Sequence, residues 1–147
     1  MGDFAKKLVT FWQVFIYSGG YREVLKGLKN TAVIAVLGLV IGIVVGTLLA
    51  TAKVLPRYKR LPKILNGIAS FYVSLFRGTP MVVQLLVFYY VLLPIIGVRI
   101  PSVTVATIVF GLNSGAYVCE IMRSGIMSVD QGQMEGGRSV GLSYGTT

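Results

Sequence analysis

The chain has 147 residues, of which 54% are hydrophobic and 13% are charged, and its formal net charge is +9. A soluble domain typically carries about a quarter charged residues, so this composition excludes an ordinary soluble protein. Because the sequence has no histidine and a single cysteine, we expect no metal site, no disulfide framework and no catalytic residue. We attribute the basic excess to loops beside a membrane and expect no nucleic-acid partner.

Residues 1–26 precede the long apolar stretches and contain a short apolar and aromatic run, LVTFWQVFIY, from Leu8 to Tyr17. This run is too short to cross a bilayer, which takes about 20 residues of helix. We therefore predict an interfacial N-terminal helix, with Trp12 and Tyr17 at the depth of the lipid headgroups.

Three long stretches without a charged residue follow, at 30–52, 78–98 and 100–119. Each is long enough for a membrane-spanning helix, which needs about 20 mostly apolar residues at about 1.5 Å rise per residue. The sequence therefore predicts an all-α integral membrane protein with three transmembrane helices. For the second helix we predict Thr79 as the N-cap and Pro80 as the first helical residue, with a run to about Leu93 and an extension backwards by part of residues 64–76.

Glycines recur at four-residue intervals in two of these stretches. Gly38, Gly42 and Gly46 share one face of the first predicted helix, and Gly111 and Gly115 share a face of the third. Small residues at this spacing let another helix backbone approach closely, so we predict that the first set forms a packing face.

The connection between the first two stretches, residues 53–63, is rich in lysine and arginine and holds no acid. The positive-inside rule places such a connection in the cytoplasm. The total of basic residues on alternate sides favours an extracytoplasmic N-terminus and a cytoplasmic closing segment.

Polar residues inside membrane spans are expensive and mark candidate functional sites. Two interpretations stay open here, a path for a polar solute or hydrogen bonding between helices. For Glu120, the second interpretation takes the form of an i, i+3 ion pair with Arg123. The candidates for the solute path are Gln84, Asn113, Ser114, Tyr117 and Glu120, of which Asn113, Tyr117 and Glu120 share one helical face.

The closing segment begins with the pattern of a helix start. Asp130 is a good N-cap, and Gln133 lies three residues later at the spacing of a capping box. We predict a helix over about 131–140 that ends at Gly141. Two consecutive glycines inside it lower its helix propensity, so either another protein packs against this helix or the segment is a flexible loop.

Two stretches, LFRGTPMVVQLLVFYYVLLP and GLNSGAYVCEIMRSGIMSVDQGQMEGGRSVGLS, resemble the transmembrane subunits of bacterial ABC importers for polar amino acids, the histidine/glutamine/arginine permease family. The most specific parts are RGTP-x3-Q, NSGAYV-x-E and the segment from Ser128 to Ser143. That segment resembles the family's cytoplasmic EAA loop, E-A-A-x3-G-x9-I-x-L-P. Glu135 and Gly141 match this pattern, while glycines replace both alanines.

The resemblance implies a type-1 ABC transmembrane domain over 27–147, cut within the EAA loop, and five transmembrane helices in the whole domain. The chain then corresponds to the first part of a subunit. The resemblance also implies a coupling helix that docks onto a cytoplasmic ATPase. The residues it assigns to coupling are Gln133, Met134, Glu135, Gly136, Gly137, Arg138 and Gly141.

The implied partners are an ABC ATPase subunit that holds ATP and magnesium, a second permease subunit, identical or homologous, and an extracytoplasmic solute-binding protein. The implied location is the bacterial inner membrane, as a multi-pass protein without enzymatic activity of its own. The sequence does not specify which amino acid is carried. The alternative is a small membrane scaffold or assembly protein whose glycine faces serve only for association.

Overall fold

The computed structural model describes residues 2–54, 60–143 and 145–146, and these ranges contain helices and no β-strand. The centre of the basic connection, residues 55–59, lies outside the described residues. The α-helices are α1 (Gly2–Trp12), α2 (Gly20–Val54), α3 (Arg60–Gly78), α4 (Met81–Val87), α5 (Leu93–Ile95), α6 (Ser102–Met127) and α7 (Gln131–Ser139), with π-helical turns at Gln13–Tyr17 and Phe88–Leu92.

Two helices, α2 and α6, are each long and apolar enough to cross a membrane. Helices α3 and α4–α5 form a bent pair that raises the count among the described residues to three if the pair acts as one broken span. The prediction of an all-α membrane protein is therefore confirmed. Helix α2 begins at Gly20, well before the predicted start at residue 30, because the helix continues through the charged residues that precede the apolar stretch.

The packing of α2 against α6 depends on glycine. Gly42 and Gly46 are buried, and a Cβ atom at either position would lie 2.6 Å from the Cβ of Ser114 or of Val118, closer than atoms can approach. A Cβ on Gly111 would likewise lie 2.7 Å from Ile41. The predicted packing face is confirmed. The partners advance in the same order along both helices, so α2 and α6 run parallel.

The second predicted span is broken rather than continuous. The helix axis bends by 106° between α3 and α4–α5, so residues 64–76 lie in a separate helix and not in a straight extension of the second span. The predicted Thr79 cap is wrong, because the N-cap residue of α4 is Pro80 and no side chain caps it. The Thr79 hydroxyl instead donates a hydrogen bond to the carbonyl of Leu75, 2.7 Å away, in the last turn of α3.

The N-terminal helix α1 and the π-helical turn after it are exposed, except for Phe15, which is partly buried. Phe11, Trp12 and Phe15 form an aromatic cluster there, in which the two phenylalanine rings are stacked 5.6 Å apart. Aromatic side chains are enriched at membrane interfaces. The interfacial placement of this segment stays a prediction.

We predict opposite effects for the same substitution at two glycines of α2. Gly42→Ala places a methyl group 2.6 Å from the Cβ of Ser114 and should lower the free energy of unfolding by about 1–3 kcal/mol. Gly27→Ala meets no atom within 4 Å and should stabilise the protein slightly, because alanine has the higher helix propensity. Unfolding in mixed micelles, followed by circular dichroism, measures both changes; equal stability of the two variants would contradict the packing face.

Candidate functional site

The bend between α3 and α4 interrupts the backbone hydrogen bonds that a continuous helix would form here. The last carbonyl groups of any helix lack partners within the helix, and inside a membrane such groups cost several kcal/mol each if they stay unsatisfied. Two buried carboxamides lie at this bend. Gln84 and Asn113 are each only 8% exposed.

These carboxamides supply the missing donors. The Gln84 Nε2 atom lies 2.8 Å from the Phe76 carbonyl oxygen and 3.0 Å from that of Thr79. The Asn113 Nδ2 atom lies 3.2 Å from the same Phe76 oxygen and donates to Gln84 Oε1 at 3.0 Å. The network joins α3, α4 and α6, so the geometry favours the interhelical interpretation for Gln84 and Asn113. Their assignment to the solute path stays a prediction.

Two further polar side chains of α6 and α3 also serve helix packing. Ser114 lies against Gly42 in the contact between α2 and α6. Tyr72, in α3, donates its hydroxyl proton to the Leu112 carbonyl at 2.6 Å. Sequence spacing did not single out Tyr72, because the contact joins residues far apart in the chain.

A charged cluster lies near the C-terminal ends of α2 and α6. Glu120 accepts hydrogen bonds from Arg123, with Nη2 at 2.6 Å and Nε at 2.9 Å, so the predicted i, i+3 ion pair is confirmed. Lys53 of α2 contributes a third member, with its Nζ 2.9 Å from the other Glu120 oxygen. Asn66 of α3 donates to the Lys53 carbonyl at 3.1 Å. The cluster ties three helices together and occupies both carboxylate oxygens of Glu120.

Tyr117 differs from its neighbours in the candidate list because its side chain is 47% exposed. The guanidinium of Arg77, at the end of α3, lies over its ring at 5.4 Å from the centroid. A cleft of about 370 Å³ opens beside this pair. Its lining residues are Arg77, Tyr117, Glu120, Ile121 and Ser124. Arg77 was not among the residues predicted from the sequence, because its contact with Tyr117 requires two helices to meet.

The predicted closing helix is present as α7, from Gln131 to Ser139. Its start is confirmed, because the Asp130 side chain accepts a hydrogen bond from the Gly132 amide at 2.8 Å. Its end at Gly141 is also confirmed, since this residue has a positive φ of 87°. The amide of Gly141 donates to the Arg138 carbonyl, and that of Leu142 to the Gly137 carbonyl, which together form a Schellman motif.

Most of α7 is exposed. The side chains of Gln133, Glu135 and Arg138 are exposed, while Met134 and Gly137 are partly buried. A Cβ atom on Gly136 would find no other atom within 4 Å. A short, well-capped helix that leaves its surface free is suited to contact another protein. The assignment of these residues to coupling stays a prediction.

Residues 38–147 match the family of binding-protein-dependent transport system inner membrane components. This match covers most of the chain, so the chain belongs to that family, and the resemblance to ABC importer permeases is confirmed.

Among individual proteins, the arginine transport system permease protein ArtQ of Bacillus subtilis (strain 168) is 40% identical over 122 residues, which are 83% of this chain and 53% of that protein. The glutamine transport system permease protein GlnP of Escherichia coli (strain K12) is 37% identical over 120 residues, 81% of this chain and 52% of that protein. The chain spans about half the length of the curated relatives it matches.

A solved structure is similar over most of the fold. It is described as the crystal structure of an amino acid ABC transporter with histidines. The TM-score is 0.73 at 36% sequence identity, and the match covers 88% of this chain and 58% of that chain. The likeness therefore includes the arrangement of helices as well as the sequence.

We predict that Gln84→Leu destabilises the protein by about 1–3 kcal/mol, because it removes the Gln84 donor from the Phe76 and Thr79 carbonyls and the acceptor from Asn113. Gln13→Leu, the same change at an exposed position of the N-terminal π-helical turn, serves as the control and should have little effect. The free energy of unfolding in mixed micelles measures both. If the two variants were equally stable, Gln84 would not support the bend.

We also predict that Glu120→Gln destabilises the protein, because Lys53 and Arg123 then share a site without their counter-charge. Glu23→Gln removes an exposed i, i+3 pair with Lys26 and should change stability little. Thermal unfolding of both variants at low salt provides the comparison. A similar melting temperature for both would show that the cluster contributes nothing beyond a surface ion pair.

Proposed function

We propose that the chain is part of a permease subunit of an ATP-driven, binding-protein-dependent importer of polar amino acids. Family membership, together with the exposed and doubly capped helix α7, is the observation that carries the proposal. The names of the relatives, which refer to arginine and glutamine transport, support amino acids as the solute class.

In this proposal the protein is a multi-pass component of the bacterial inner membrane. Two permease subunits, identical or homologous, form the solute path between them, and an extracytoplasmic binding protein delivers the amino acid. A partner ATPase binds ATP and magnesium and performs the hydrolysis, so the chain itself is not an enzyme. The helix α7 is the contact with that ATPase.

The geometry of the described residues supports transmission of force from α7. Helix α7 follows α6 after a turn of only a few residues, from Ser128 to Asp130. The glycine packing face and the cluster of Lys53, Glu120 and Arg123 join α6 to α2. A displacement of α7 by the ATPase therefore moves α6 and α2 together. Such a rigid pair can alternate between two orientations of the solute path.

The cap residues give α7 a fixed length and direction despite its glycines. Asp130 satisfies an amide at the start, and the Schellman motif at Gly141 satisfies carbonyls at the end. The small residues Gly136 and Gly137 allow the ATPase surface to approach the helix backbone. Alanines stand at these two places in the family's EAA pattern, so a methyl group at Gly136 is compatible with the contact.

The test uses the full-length permease together with its ATPase in proteoliposomes. Gly136→Ala should retain ATP-dependent uptake of arginine or glutamine. Gly136→Leu should lower uptake by about ten-fold or more, because a loss of about 1.4 kcal/mol at the contact weakens association ten-fold. Glu135→Ala should also reduce uptake.

Gly67→Leu is the matched control, since Gly67 is an exposed helical glycine of α3 with no atom within 4 Å of a Cβ. It should leave both uptake and copurification of the ATPase unchanged. Equal uptake by Gly136→Leu and wild type would overturn the coupling assignment. Absence of ATP-dependent uptake by the wild-type protein, with no ATPase copurifying, would instead support the scaffold alternative.

A further inference from the structure

Arg77 carries a positive charge that has no ion pair within the described parts of the chain. The four ion pairs found there involve other residues, and the one contact of the Arg77 guanidinium is with the Tyr117 ring. Its side chain is exposed. A charged side chain within a membrane protein is expensive unless it faces a water-filled cavity or meets an opposite charge.

The depth of Arg77 relative to the membrane determines whether this energetic cost of a charged side chain applies. Its neighbour Tyr117 lies in α6, about 22 Å from the helix start at Ser102 and about 15 Å from its end at Met127, at about 1.5 Å per residue. A hydrocarbon core about 30 Å thick, centred on this helix, includes that position. On that placement Arg77, at the bend where α3 ends, lies within the hydrocarbon core next to Tyr117.

The cleft beside Arg77 has the size and the charge to accept a small anion. Its volume of about 370 Å³ falls within the range of about 300–1,000 Å³ typical of small-molecule sites. The acid in its lining, Glu120, is already bonded to Lys53 and Arg123 through both oxygens. Because Lys53 and Arg123 offset the charge of Glu120, Arg77 is the charged lining residue that has no ion-pair partner among the described residues.

Tyr117 limits the freedom of the Arg77 side chain. A guanidinium over an aromatic ring is held by cation–π attraction, which leaves its N–H groups at the edge free to donate. Those groups form a planar fork that matches a carboxylate with two parallel hydrogen bonds. The pair therefore offers an oriented donor at the edge of an open cleft.

We propose that Arg77, positioned by Tyr117, binds the carboxylate group of the transported solute as it passes the bend between α3 and α4. The inference rests on the proposed function for the nature of the solute. It adds the recognition element, a guanidinium that selects solutes with a free α-carboxylate. Tyr117 positions the Arg77 guanidinium through its ring and forms no ion pair itself.

The first experiment measures binding without transport. Phenylglyoxal modifies accessible arginines, and mass spectrometry reports the rate at Arg77 in the full-length permease with its ATPase, reconstituted in phosphatidylcholine. L-glutamine and L-asparagine are the probes, because free L-arginine would itself consume phenylglyoxal, and their α-carboxamides lack the negative charge. We expect the acids, and not the amides, to slow modification of Arg77 by about ten-fold or more, as expected for a charge-assisted pair.

Arg22 is the internal control, because its guanidinium also lies over a tyrosine ring, at 5.8 Å from the centroid of Tyr21. It should react at the same rate with and without the probes. Equal slowing at Arg77 by acids and amides, or no slowing by the acids, would overturn the proposal. Slowing that appears only when phosphatidylglycerol is included would assign Arg77 to a lipid phosphate and would also overturn it.

The second experiment uses uptake. Arg77→Gln should raise the KM for the acids by about ten-fold to a hundred-fold, because it removes the guanidinium that pairs with the carboxylate. Tyr117→Phe, which keeps the ring, should retain the wild-type KM, whereas Tyr117→Leu should raise it. An unchanged KM in Arg77→Gln would overturn the inference while leaving the proposed function in place. Failure of the wild type to transport amino acids would count against the proposed function, and the modification experiment would still decide the carboxylate site.

Discussion

The close contact of α2 with α6 is the constraint on which the rest of the structure depends. Gly42 and Gly46 let the two helices approach until there is no room for a single methyl group between them. Lipid is as apolar as the helix surfaces, so association in a membrane relies on this kind of close packing rather than on the hydrophobic effect. The contact also sets the register that brings Lys53 to Glu120 and places Asn113 opposite the end of α3.

The bend between α3 and α4 is possible because other helices satisfy its backbone. A broken helix at membrane depth is tolerated only where protein groups or water bind the freed carbonyls. Gln84 and Asn113 do so from two different helices, so α6 contributes to the support of the bend. The same bend brings Arg77 out beside Tyr117 and opens the cleft next to it.

The middle and the C-terminal end of α6 therefore serve different purposes. The middle supplies Asn113 as a hydrogen-bond donor to the bend and faces the cleft, while the C-terminal end carries the charged cluster and leads into α7. Joining these features on one helix provides a direct physical connection from α7 to the bend and the cleft. The coupling proposed for α7 uses this continuity, because movement at Asp130 is communicated along a single helix that is tied to α2.

The sequence by itself determined the helical membrane fold, the glycine packing face and the limits of α7. These follow from local rules, namely apolar length, four-residue spacing, an N-cap at Asp130 and a glycine at position 141. It also identified the Glu120–Arg123 pair, which lies within one turn of helix. Only the tertiary structure decided the 106° bend, the third charge from Lys53, the use of Gln84 and Asn113 at the bend, and the contact of Arg77 with Tyr117. The physical reason is that these features arise between helices, where the partner of a side chain depends on register and crossing geometry that no local pattern encodes.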